Sequence, residues 1–130
     1  MMLEALMLAN SATINGWLLD IIGGGWEHYQ CSAFPCTVSG AITGTVILEE
    51  GDLGSDVQLH FKIETASDGD IVFLTDYTFH VAGRGAAVAG VPSRLPFAIP
   101  FSFDTQGAQV MRAVVIHDVD DLGEVAFAIK

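Results

Sequence analysis

Basic side chains are nearly absent from this chain. Among 130 residues there are 5 Lys and Arg against 16 Asp and Glu, a formal net charge of −11. Lys62, Arg84, Arg94, Arg112 and Lys130 are scattered and form no patch, so electrostatic binding of nucleic acid or of an anionic membrane is excluded as a function. Long apolar runs are missing too. Hydrophobic residues make up 51% of the chain, yet Gly, polar or charged residues interrupt every stretch before the ~20 residues that a membrane helix needs. The segment Met1 to Ala12 contains Glu4 and no base, unlike a secretory signal, and reads as a first strand. Cysteine is scarce, with two residues only, which is no disulfide framework of the kind found in small secreted domains. A cytoplasmic location is therefore expected. Disorder is excluded by the small charged fraction, 16%, and a chain of this length fits one domain spanning residues 1–130.

What is present is alternation of period two, broken about every ten residues by Gly, Asp or Asn turns. Val57, Leu59, Phe61 and Ile63 alternate with Gln58, His60, Lys62 and Glu64, which predicts a strand with one dry and one wet face. After the turn Ser67-Asp68-Gly69-Asp70, a second strand of a hairpin places Ile71, Phe73, Tyr77, Phe79 and Val81 on one face, opposite Val72, Leu74, Asp76, Thr78 and His80. Upstream, Val38, Ile42, Val46 and Leu48 share a face, and Gly40 and Gly44 within that segment are expected to mark bends or bulges. Downstream, Phe97, Ile99, Phe101 and Phe103 alternate with Ala98, Pro100 and Ser102; Pro100 cannot donate to a ladder, so this strand belongs at an edge. Gln109 to Asp118 alternates less clearly, and the acidic turn Asp120-Asp121-Leu122-Gly123 leads to a last strand burying Val125, Phe127 and Ile129.

Leu3 to Asn10 has helical propensity, but the Asn15-Gly16 turn before Trp17-Leu18-Leu19-Asp20-Ile21-Ile22 favours a hairpin. This opening, with Leu8-Ala9-Asn10 ending one strand and Gly23-Gly24-Gly25-Trp26 ending the next, resembles a family of small bacterial β-rich single-domain proteins. The resemblance extends over residues 3–38, includes the Pro35 loop, and implies a β fold. It brings no activity, cofactor or catalytic residue to carry over.

Candidate chemistry is sparse. Gly23-Gly24-Gly25 lacks the Gly-Lys-Ser or Gly-Lys-Thr ending of a phosphate-binding loop and reads as a strand end needing positive φ, with Trp26 covering the adjacent core edge. His28, Cys31 and Cys36 form H-x2-C-x4-C, an imidazole and two thiols suited to zinc, with a fourth ligand to come from His60, His80 or His117. The alternatives at that loop are two half-buried free thiols beside a surface His, or a short Cys31–Cys36 disulfide. The acidic turns around Glu50, Asp68 and Asp118–Glu124 suit calcium in ligand type, but Leu122 and the missing terminal Glu depart from an EF-hand loop, so solvated turns are expected. His80 and His117 lie close in sequence to Asp76 and Asp118, positions from which a His–Asp couple could form. No nucleophile, base and oxyanion donors occur at linked positions.

These readings converge on an all-β domain, a two-sheet antiparallel sandwich of about eight strands with jelly-roll or immunoglobulin-like topology open. The expected function is a non-catalytic binding or structural assembly module without a cofactor. The other reading is a zinc-dependent enzyme or sensor built on His28, Cys31 and Cys36. Several strands, among them Leu18–Ile22 and Ile71–Leu74, are apolar on both faces, so a homo-oligomer, most simply a dimer, is expected.

Overall fold

A computed structural model describes residues 1–83, 85 and 87–130. Arg84 and Ala86, part of the small-residue loop between Gly83 and Pro96, lie outside the described residues. Among the described residues there are nine strands: β1 (Met2–Asn15), β2 (Leu18–Gly24), β3 (His28–Tyr29), β4 (Cys36–Ile47), β5 (Asp56–Thr65), β6 (Ile71–His80), β7 (Arg94–Thr105), β8 (Gln109–His117) and β9 (Asp120–Ile129). They form a four-stranded sheet in the order β2-β1-β4-β7 and a five-stranded sheet in the order β3-β9-β8-β5-β6. All pairings are antiparallel except the two-residue contact of β3 with β9. The expected sandwich is therefore what the chain forms. No helix among the described residues is long and apolar enough to cross a membrane.

The alternating strands decide which faces meet. Val57, Leu59, Phe61 and Ile63 of β5 are buried against Phe97, Ile99, Phe101 and Phe103 of β7, together with Val38, Ile42 and Val46 of β4 and Met111, Ala113 and Val115 of β8. Phe61 and Phe97 meet near the middle with ring centroids 5.2 Å apart. The strand carrying Pro100 lies at the edge of its sheet, as its missing N–H requires.

Three local expectations change. Gly40 and Gly44 are not bulges, since β4 keeps an unbroken register with β7 from Cys36 to Ile47. They are close-approach positions: a Cβ on Gly40 would lie 2.6 Å from the Trp26 ring, and one on Gly44 would lie 1.9 Å from the Ala5 carbonyl oxygen and 2.9 Å from the Phe97 ring. On β6 a register shift between Ile63 and Glu64 opposite Ile71 reverses the local parity. Ile71 is exposed, and Val72 packs against the core in its place. Finally, the β8–β9 hairpin turns two residues earlier than expected, at Asp118-Val119, with Asp118 at φ 54°, so Asp120 and Asp121 already stand in the ladder.

Candidate interaction surface

The glycine-rich strand end is a tight bend. Gly23 and Gly25 have φ of 63° and 84°, values that glycine adopts without penalty. Gly23 lies against the Asn10 side chain, where a Cβ would be 2.3 Å from the carboxamide nitrogen. The same Asn10 accepts a hydrogen bond from Trp26 Nε1 at 3.0 Å, and Gly25 N–H donates to the Leu8 carbonyl at 2.8 Å. Trp26 rests on Tyr29, Phe101 and Phe127 and covers the core edge, as the sequence led one to expect.

Beside this bend β1 leaves its ladder with β4, whose last pair is Ala9 with Ala41. From Ser11 to Asn15 the strand pairs with β2 alone. The two form an arm that reaches back toward β7, which both strands approach although β4 separates β1 from β7 in the sheet. Ala41 and Thr43, which point outward from β4, are buried as well. The arm is apolar and open to solvent: Trp17 is 82% exposed, Ile22 68%, Leu18 59% and Ile14 44%. Its tip and the 87–96 segment, with Val88, Val91 and Leu95, border an open groove of about 990 Å³.

The candidate metal ligands have a different fate. Cys31 and Cys36 are joined in a disulfide, their Cα atoms 6.1 Å apart, so in this form the sulfurs are bonded to each other and offer no thiolate. His28 begins β3 and is exposed. The zinc reading therefore requires the reduced pair. Among the described residues no group of three or more His, Cys, Asp or Glu is arranged to hold a metal ion. The disulfide instead ties the segment after β3, where Cys31 N–H donates to the Lys130 carbonyl at 2.7 Å, to the start of β4.

His80 takes a partner other than the sequence neighbour Asp76, whereas His117 stays near its neighbour Asp118. His80 Nδ1 bonds Asp56 at 2.6 Å, and His60 Nδ1 bonds Asp76, each pair directly opposite across β5 and β6. His117 lies 3.8 Å from Asp118. Cross-strand register brings His80 to Asp56 and His60 to Asp76, and periodicity alone could not identify it. Sequence reasoning also missed how the bases are used. Lys62 and Arg112 both reach Glu64, at 3.1 and 3.0 Å, and Arg94 reaches Glu4 at 2.8 Å. Hydrogen bonds from Arg94 and Thr45 hold the Glu4 carboxyl below its ordinary range and raise Arg94 in turn. With these bases engaged by carboxylates, the exposed surface stays acidic.

Comparison with known proteins finds no matching family model, no matching curated protein and no matching solved structure.

Proposed function

We propose that this domain is a non-catalytic binding or structural assembly module that works as a homo-oligomer, with the β1–β2 arm as a contact surface. The observation that carries this reading is the arm itself. A two-stranded ribbon is marginal in water by itself; this one leans toward β7 and still exposes Ile14, Trp17, Leu18 and Ile22. Leu18 and Ile22 lie on one face of the ribbon, Ile14 on the other and Trp17 at its tip, so exposed apolar side chains surround the arm, a feature that marks interaction sites. The net charge of −11 opposes loose aggregation and favours a closed, symmetric assembly.

Sedimentation velocity over a range of micromolar concentrations tests it. The expected result is a mass above 13.8 kDa that falls when Trp17 and Ile22 are both changed to Ser, with the circular dichroism unchanged. A wild-type mass fixed at 13.8 kDa overturns the reading. The proposed cytoplasmic location implies that the Cys31–Cys36 bridge is open in the cell and closes in the oxidised, purified protein, and the cysteines test it. Alkylation in intact cells modifies both thiols in a reducing compartment and neither in an oxidising one.

A further inference from the structure

The arm is one exposed surface; the β6 edge of the five-stranded sheet, which pairs with no strand but β5 among the described residues, is another, and it carries a charge pattern of its own. Natural sheets blunt their edges with proline, lysine, short strands or covering segments. The edge strand β7 has Pro96 and Pro100, each without an N–H, and β3 is two residues long. The edge strand β6 has ten residues, Ile71–His80, with no Pro, Lys or Gly among them. Its outer face carries Leu74, 60% exposed, and then Asp76, Thr78 and His80 at successive alternate positions.

The register with β5 gives this face its order. Asp56 stands opposite His80, Gln58 opposite Thr78, and His60 opposite Asp76. The sequence of charges is therefore reversed end to end about Thr78, with carboxylate and imidazole exchanged between the strands. Adding a second copy antiparallel, with a two-fold axis through Thr78, sets His80 opposite the partner's Asp76. The cross-strand row then reads Asp56, His80, the partner's Asp76, the partner's His60, with acid and imidazole alternating, and the two-fold repeats it on the other side of Thr78. His80 bonds Asp56 through Nδ1 and keeps Nε2 as a second nitrogen for the partner's carboxylate. On the inner face the same register places Tyr77 opposite the partner's Phe79, extending the Tyr77–Phe79 stack, whose centroids are 6.2 Å apart. An axis through Asp76 would instead face two carboxylates, and one through Thr75 would set Asp76 against Leu74.

We infer that β6 is the edge through which two copies of this chain join, antiparallel and in register about Thr78, into one continuous ten-stranded sheet. This goes beyond the arm reading and rests on other residues, with Phe79 and His80 at the end of β6 bordering the same groove as the arm tip. The test is disulfide trapping combined with sedimentation. Residues directly opposite in an antiparallel pair lie within the Cα span a disulfide bridges. The Thr78→Cys protein is expected to form a dimer on oxidation that reductant reverses. Asp76→Cys and His80→Cys proteins are expected to cross-link when mixed and not when each is oxidised alone. Thr78→Lys, which sets two ammonium groups against each other on the axis, is expected to weaken dimerisation at least tenfold without altering the circular dichroism. The Trp17/Ile22 double Ser variant should leave the Thr78→Cys cross-link intact, which separates the two surfaces. Absence of the Thr78→Cys dimer, or an unchanged dissociation constant in Thr78→Lys, overturns the inference.

Discussion

Phe61 is the side chain on which the two sheets meet, fully buried and touching the Phe97 and Tyr77 rings. Phe61→Ala removes that contact and leaves a cavity that strands on both sides cannot collapse to fill, so denaturant unfolding should show a loss of about 3 to 5 kcal/mol. Phe73 and Phe79, which the alternation places on one face of β6, lie at the margin of the core because β6 is an edge strand. Gly44 is a sharper case. The 1.9 Å approach to the Ala5 carbonyl involves backbone of a neighbouring strand, which cannot swing aside as a side chain does. Gly44→Ala should therefore destabilise by more than about 3 kcal/mol, whereas Gly51→Ala, with open space around it, should stay within about 0.5 kcal/mol. Glu64 stands on the wet face of β5 by periodicity, yet it is buried between Lys62 and Arg112. Its burial is possible because two cations compensate it.

Among elements, the ends of β1, β4 and β7 are tied by one carboxylate. A register shift in β1 between Leu3 and Ala5 accompanies Glu4, which receives hydrogen bonds from Thr45 of β4 and Arg94 of β7. Because the folded carboxyl is held below its ordinary value of 4.5, the tie contributes stability above that value and loses it as pH falls through the lowered folded value. Glu4→Gln should therefore be less stable than wild type near neutral pH, the difference should shrink on acidification, and salt should reduce it, since the group is exposed. Thermal melts of both proteins between pH 7 and pH 3 check this. A second tie is the Cys31–Cys36 bridge, which closes a short loop beside β3. In the chain-entropy account such a loop contributes roughly 2 kcal/mol. Changing both cysteines to Ser should cost about that much while the ladders persist, because β4 keeps all its hydrogen-bonded neighbours. Peptide mapping under non-reducing conditions should recover the two cysteines linked.

For the whole molecule, the far-ultraviolet circular dichroism should be dominated by strand, with helix far below the ~30% of mixed domains. The sandwich leaves four strand edges, and two of them are blunted, by prolines in β7 and by brevity in β3. The other two, the β2 arm and β6, carry the proposed contacts. Exposed large apolar side chains occur on both, Trp17, Leu18 and Ile22 on the arm and Ile71 and Leu74 on β6.

Alternation alone was enough to establish the all-β class, the inward faces of β4, β5 and β7, the hairpin at Gly16 and the edge position of the Pro100 strand, because each of these follows from a period or a backbone group carried by the residue itself. The tertiary structure decided everything that depends on which strands meet. Gly40 and Gly44 look like interruptions until Trp26 and Phe97 are seen lying on them. Ile71 looks inward until a one-residue shift turns it out. His60 and Asp76 stand sixteen positions apart in the chain and meet only through register. The arm, too, was legible as a hairpin but not as an exposed one, since a strand's composition does not say whether a third strand covers it. Local periodicity reports which face a residue takes. The partner on that face is set by pairing between strands distant in the chain, and no single segment encodes it.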